Sequence, residues 1–152
     1  MTSTLDIKMR LTELIIKNKF LDLTILIILI FAFSVGGYNH ISDVINKGIF
    51  PYSNWVGVPQ VINIFWTSLT ILDFIVVALL IFNIRIGYIL GFCIMIIDVP
   101  VNIFATAYYL PIPFLKNYGL LLQTIVLLLL LFTMHRIGRL TKTNKNLTNH
   151  CT

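Results

Sequence analysis

Residues 61–110 decide the fold of this chain, and they read VINIFWTSLTILDFIVVALLIF, NIRIG and YILGFCIMIIDVPVNIFATAYYL. A tight polar turn separates two long apolar runs. Asp73 lies twelve residues before Arg85 and Asp98 lies twelve after Ile86, so two antiparallel membrane helices would hold both acids at one depth. At 1.5 Å per residue that depth is roughly 18 Å from the turn, near the middle of a ~30 Å hydrocarbon core. An acid there costs about 2.5–3.5 kcal/mol on insertion scales, so we expect both to face the bundle interior and mark a functional site.

The composition indicates a membrane protein. Of 152 residues, 58% are hydrophobic and only 11% are charged, whereas soluble domains carry about 25% charged residues. The length suits a single integral membrane domain, 1–152, with four spans. The basic residues cluster before the first apolar run and after the last, which indicates membrane topology and no nucleic-acid partner. The two cysteines lack metal-ligand or CxxC spacing, and no motif predicts a cofactor or a metal site.

We predict an all-α fold, a four-helix transmembrane bundle with spans at about 20–38, 61–82, 87–110 and 118–134. Apolar residues at helical spacing in 1–19 are compatible with a short interfacial helix before the first span. The same spacing in the 39–60 loop is compatible with another, ended by Gly48. Residues 135–152 are expected to form a basic, disordered tail.

The distribution of basic residues predicts that both termini are cytoplasmic. Nine of the eleven lysines and arginines lie in the two tails and the 83–87 turn, and only Lys47 and Lys116 lie in the other two connections. The many isoleucines, asparagines and lysines favour a bacterial source. We therefore expect a multi-pass protein of the plasma (inner) membrane.

Polar side chains form one stripe on each helix of the central hairpin. Spacings of three and four residues place each set on one helix face: Gln60, Asn63, Thr67, Thr70 and Asp73 in the second span, and Asp98, Asn102, Thr106 and Tyr109 in the third. Both stripes stop at the aspartates, which predicts an outward-facing polar pocket between these spans, with the acids at its floor and His40 near its mouth. The candidate ligand-binding residues are therefore Asp73, Asp98, Asn102, Thr70, Thr67, Asn63, Tyr109 and His40.

The segment FWTSLTILD at 65–73, followed after the turn by Ile97-Asp98-Val99 and Asn102, resembles a group of small bacterial four-span integral membrane proteins. The resemblance covers about forty residues of the central hairpin. It carries no assigned activity and therefore implies a fold alone. Size and span number are also similar to DoxX-like and EXPERA-like (sterol-isomerase-like) four-span proteins, an analogy of fold that implies no function.

Three functional hypotheses follow. The leading one is a module that binds or translocates a small neutral or cationic ligand, or a proton, with Asp73 and Asp98 carrying the charge. Two carboxylates in one desolvated pocket cannot both ionise cheaply, so the pair is expected to share a proton. The enzymatic alternative is acid/base isomerisation of a lipid-like substrate that enters laterally, with the two aspartates as candidate catalytic residues.

The third hypothesis is a structural subunit of a larger membrane complex. In that case the acids would clamp helices through hydrogen bonds to Thr70, Asn102 or the opposite helix. The expected partners are the lipid bilayer and the small-molecule or proton ligand. The GxxxG at Gly87–Gly91 packs helices, and both a homo-oligomer and a larger complex stay open.

Overall fold

Four long helices make up the bundle. The computed structural model describes the backbone of residues 4–52, 57–109 and 113–149, and the side chains of 19–52, 57–109, 113 and 115–136. The helices are α1 (Thr4–Lys47), α2 (Gln60–Phe82), α3 (Ile84–Tyr108) and α4 (Tyr118–Asn149), with a 3-10 turn at Phe114–Lys116. No strand occurs in these ranges.

Each helix contains a stretch long and apolar enough to cross a membrane: Lys19–Lys47, Gln60–Phe82, Ile84–Tyr108 and Tyr118–Arg136. Large apolar side chains such as Phe31 and Ile71 are exposed on the outer faces of the helices, as lipid contact requires. The prediction of an all-α, four-helix, multi-pass membrane protein is thus confirmed.

Helix α1 is longer than the first span predicted from the sequence. It runs without interruption from Thr4 to Lys47, so the two short helices expected on either side of that span are continuous parts of it. The reason is that no proline interrupts the segment, and a helix once formed gains a hydrogen bond with each added residue. Gly48 ends the helix as predicted, at φ +89°, where its N–H donates to the Val44 carbonyl over 2.9 Å.

Helices α2 and α3 meet at one residue, Asn83, instead of the five-residue turn predicted. The Asn83 N–H donates to the Leu79 carbonyl over 2.7 Å and its side chain accepts from the Ile86 N–H over 3.4 Å, so it caps both helices. Such a short link needs close backbones. A Cβ on Gly87 would lie 2.6 Å from the Leu80 backbone nitrogen, so only glycine fits there without displacing a helix.

Successive helices pack side by side, α1 along α2, α2 along α3 and α3 along α4. The buried core between them is formed by Leu29, Leu69, Val76, Leu80, Leu120 and Leu130. Gly91 completes the GxxxG packing, since a Cβ there would meet Phe33 of α1 and Val76 of α2 at 3.1 and 3.3 Å. By contrast, α1 and α4 approach each other at few positions.

The bundle has two ends, a turn end and a loop end. The turn end holds Asn83 and an ion pair between Asp22 of α1 and Arg136 of α4, with a 3.1 Å Nη2–Oδ1 distance. The loop end holds the connections 48–59 and 109–117. Beyond the turn end, α4 continues to Asn149, which differs from the disordered tail expected over 135–152. That stretch contains no proline and a single glycine, so nothing in it forces the helix to stop.

Candidate functional site

The two mid-helix aspartates meet at one cavity. Asp73 of α2 is 6% exposed and Asp98 of α3 is 2% exposed. Both line a cavity of about 110 Å³, the inner cavity. The antiparallel hairpin with its one-residue link brings the two acids together, as their equal distance from the turn predicts.

The walls of the inner cavity come from all four helices. Helix α2 contributes Asp73, and helix α3 contributes Met95 and Asp98. The remaining lining residues belong to α1 and α4. Those residues are Ala32, Phe33, Val35, Gly36, Asn39 and His40 of α1, and Gly119, Leu122, Gln123 and Val126 of α4. The cavity expected between the second and third spans thus has residues of both in its wall, and α1 and α4 contribute most of its lining.

A second, outer cavity of about 200 Å³ adjoins the first toward the loop end. It shares Gly36, Asn39, His40 and Gln123 with the inner cavity. Its other lining residues are Asp43, Tyr52, Trp66 and Asn102. Because the two cavities share one ring of residues, we treat them as one polar cleft that leads from the loop end to the aspartates.

The carboxylate of Asp73 lies directly against the backbone of α1. A Cβ built on Gly36 would be 2.8 Å from Asp73 Oδ2, so the absence of a side chain at Gly36 makes room for the acid. The neighbouring Gly37 makes room for the ring of Phe74 in the same way, at 2.9 Å. The glycine pair thus lets α1 approach α2 where the acid needs to reach the cavity.

The two acids differ in their hydrogen bonds. Asn102 Nδ2 donates to Asp98 Oδ1 over 2.7 Å and to the Asp98 carbonyl over 3.0 Å, both within α3. No hydrogen bond from the described side chains or backbone reaches the Asp73 carboxylate. Thr70, one turn before Asp73, has a buried hydroxyl without a partner among the described residues. Pro100 lies two residues after Asp98 and has no N–H to donate to the Ile96 carbonyl.

A cluster of polar side chains holds the loop over the mouth of the cleft. Asp43 Oδ1 accepts from Lys47 Nζ over 2.6 Å, and Asp43 Oδ2 accepts from the Tyr52 hydroxyl over 2.5 Å. The Tyr52 ring packs edge-on against Trp66 with centroids 4.7 Å apart. Burial, then the hydrogen bond to Asp43 and the charges of Asp43 and Asp98, raise the pKa of the Tyr52 phenol above its ordinary value. Tyr52 is therefore a neutral hydrogen-bond donor at physiological pH.

Of the eight predicted ligand-binding residues, four line the polar cleft: Asp73, Asp98, Asn102 and His40. His40 lies inside helix α1, one turn from Asp43, and not in a loop as its predicted position implied. The helical arrangement is what allows the His40 side chain to reach both cavities.

The other four predicted residues do not line the polar cleft. Asn63 Oδ1 accepts from the Tyr52 N–H over 3.4 Å, and the Thr67 hydroxyl contacts the Ile49 carbonyl at 2.8 Å, so both hold the 48–52 segment on α2. Tyr109 packs against Phe104 with a centroid distance of 5.8 Å. Thr70 is half-buried, with its hydroxyl shielded, and it lines neither cavity.

Sequence reasoning missed the contribution of α1 and understated that of α4. Gly36, Asn39, His40 and Asp43 are spaced as one helix face. That signal was available, but it disappears when the first span is ended at Tyr38. Gln123 and Thr124 interrupt the apolar sequence of α4, and Gln123 lines the cavity together with both acids.

The polar cleft combines carboxylates, carboxamides and an imidazole. Such a set can bind a cation, hydrogen-bond a neutral polar group, or pass a proton between neighbouring groups. Within the described residues, no group of three or more His, Cys, Asp or Glu side chains is placed to hold a metal ion. Searches against protein-family models, curated proteins and solved structures find no match to this chain.

Proposed function

We propose that this protein binds or translocates a small cationic or neutral ligand, or a proton, at the Asp73–Asp98 pair. The observation that carries the proposal is that both acids, almost wholly shielded from solvent, line one cavity. A carboxylate is expensive to bury in a membrane, and acids within spans therefore mark ligand, ion or proton pathways.

The hydrogen-bond pattern favours this function over a structural clamp. Of the clamp bonds expected above, to Thr70, Asn102 or the opposite helix, the described residues contain the one from Asn102 to Asp98, and a bond within one helix does not join two helices. Asp98 bonds Asn102 of its own helix, and Asp73 has no hydrogen bond within the described part of the chain. The oxygens of Asp73 face the cavity and the backbone of Gly36, where they are available to a ligand.

The proposal includes an orientation. The excess of basic residues on the turn-end side supports cytoplasmic termini in a bacterial plasma membrane. The polar cleft then opens at the loop end, toward the non-cytoplasmic side. A ligand would enter past Asp43 and Tyr52 and reach the acids from outside the cell.

The test compares three small probes on purified protein in mild detergent: n-butylammonium, 1-pentanol and butyrate. Ligand that binds only the folded state raises stability by RT ln(1 + [L]/Kd), about 2.7 kcal/mol at a hundredfold excess over Kd. We expect the cation, or the neutral alcohol, to raise the thermal unfolding midpoint, and butyrate to leave it unchanged. Proteoliposomes with an entrapped pH dye test the proton in parallel.

Asp73→Asn and Asp98→Asn should each abolish the response. The matched control is Asp22→Asn, which removes a carboxylate that is 53% exposed at the turn end, far from the cleft. The proposal is overturned if no probe and no proton flux depends on either mid-helix acid while both variants fold.

The asymmetry of the two acids favours acid/base catalysis as a second function. Asp98 has an amide donor and Asp73 has none, and two carboxyls in unlike environments can divide the roles of acid and base. Lipid extracts from cells with wild-type protein and with Asp73→Asn should then differ in an isomer ratio. Identical lipid profiles would exclude this function.

A further inference from the structure

Helices α1 and α4 are joined at the turn end and separate toward the loop end. The Asp22–Arg136 ion pair connects them at the turn end. Gly36 lies fourteen residues beyond Asp22, about 21 Å along α1, and there the inner cavity occupies the space between the two helices. The other neighbouring helix pairs contact each other at many more positions, so this α1–α4 gap is the open side of the bundle.

The rim of the α1–α4 gap is apolar and accessible. Leu122 lines the inner cavity and is nevertheless 51% exposed. Val35 on α1 and Gly119 on α4 also line the cavity without being buried. Since α1 and α4 are both membrane-spanning helices, the exposed rim between them faces lipid. The polar floor of the cavity is thus reached from the bilayer across an apolar rim.

The inner cavity is large enough for the polar head group of a ligand and too small for a long chain. An engineered cavity of about 150 Å³ accommodates benzene, so the 110 Å³ here accepts a small polar group with one or two carbons. The outer cavity is lined by polar side chains such as Asn39, Asp43 and Asn102, so a longer apolar chain attached to that group would instead leave through the apolar α1–α4 gap. The Asp73–Asp98 pair at the floor, which is expected to share one proton, carries one negative charge, and Asn39, His40 and Gln123 offer hydrogen bonds, which together complement a primary ammonium.

We infer that the ligand is a membrane-dissolved amphiphilic amine, which enters sideways through the α1–α4 gap with its ammonium group at the aspartates and its alkyl chain along Leu122 and Val35. The inference rests on the proposed function, because it assigns a ligand class to the same acid pair. It differs in the route, since the ligand arrives from lipid and not only from water at the loop end.

The test measures binding of two labelled probes with the same head group, n-dodecylammonium and n-butylammonium, to protein in phosphatidylcholine nanodiscs, with empty nanodiscs subtracted. Leu122→Trp fills the gap. Gly119→Phe is a second way to fill it, because a Cβ at Gly119 meets only the Asn117 side chain at 3.5 Å. Leu128→Trp is the control, since Leu128 is 59% exposed on the same helix and lines neither cavity.

We expect the ratio of dodecylammonium to butylammonium affinity to fall about tenfold in the gap variants, the equivalent of two methylenes losing their contacts. The control should leave that ratio unchanged. The lateral route is overturned if butylammonium binding depends on Asp73 while neither gap variant changes the ratio, or if the control changes it equally. If neither amine binds wild-type protein, the ammonium ligand is overturned along with the route.

Discussion

Replacing Gly36 by alanine should disturb the aspartate site while leaving the bundle folded. The added Cβ would lie 2.8 Å from Asp73 Oδ2, whereas ordinary contact begins at 3.4 Å. The carboxylate oxygen must therefore retreat by about 0.6 Å, the difference between those two distances. The clashing atom is the end of a flexible side chain, so rotation of Asp73 can provide the displacement.

The expected change in stability is small because two effects oppose each other. Forcing a side chain away from its rotamer costs about 0.5–1.5 kcal/mol. Alanine in a helix interior is favoured over glycine by about 0.5–1 kcal/mol. We therefore expect the free energy of unfolding of Gly36→Ala to stay within about 1 kcal/mol of wild type.

The expected change in binding is larger. A binding group must be held within about 0.5 Å of its productive position, and Asp73 would exceed that tolerance. A hydrogen bond to a charged group contributes about 1.5–3 kcal/mol. Its loss should weaken n-butylammonium binding by about tenfold to a hundredfold.

The assay is butylammonium binding and thermal unfolding of Gly36→Ala beside Gly37→Ala. The control makes the same substitution one residue away, where the Cβ meets the ring of Phe74 at 2.9 Å and not the acid. Binding should fall in the first variant alone. Equal binding by both variants, with wild-type stability, would show that the contact between Gly36 and Asp73 has no role in the site.

Two further substitutions test the fold around the site. Gly87→Ala brings a Cβ within 2.6 Å of the Leu80 backbone nitrogen, a clash that no side-chain rotation relieves. The free energy of unfolding should therefore fall by about 1–3 kcal/mol, and the thermal unfolding midpoint should fall with it. An unchanged midpoint would contradict the close packing of α2 on α3. Tyr52→Phe removes the hydrogen bond to Asp43 and should cost about 1 kcal/mol near neutral pH. Because the pKa of Tyr52 is raised in the folded chain, the phenol ionises at a lower pH in the unfolded chain than in the folded one. The contribution of the neutral Tyr52 to stability is therefore complete below the ordinary pKa of 10.0 and is lost as the pH rises above it. Unfolding measured between pH 8 and 11 should therefore show a smaller loss of stability at high pH in Tyr52→Phe than in wild type.

Hydropathy predicts where this chain crosses a membrane better than where its helices end. Window hydrophobicity marks the stretch that suits lipid, and a helix stops only where its backbone is interrupted. Helix α1 shows the difference, because its apolar run ends near Tyr38 whereas its backbone stays helical to Lys47. The turn at Asn83 shows the opposite error, since polar side chains at 83–87 suggested a loop in residues that are helical from Ile84.

The floor of the site was predictable and its walls were not. Asp73 and Asp98 are placed by counting residues from one turn, which is local information. The walls depend on how α1 meets α4, and Gly36 and Leu122 are 86 positions apart in the sequence. The amino-acid sequence by itself contains no pattern that predicts these two residues at one cavity.

Asp73 is the residue on which the functional argument depends most. Asp73 is 6% exposed, lines the cavity and has no hydrogen bond within the described residues, so whatever compensates the burial of its carboxylate must lie in the cavity. The fold makes room for the carboxylate by leaving Gly36 without a side chain, and among the described residues the amide of Asn102 bonds Asp98 while no amide bonds Asp73. Packing that accommodates an acid without satisfying it is expected where the missing partner comes from outside the chain. A cationic or hydrogen-bonding ligand, or a proton, supplies that partner, and the cavity beside Asp73 is the space in which it would sit.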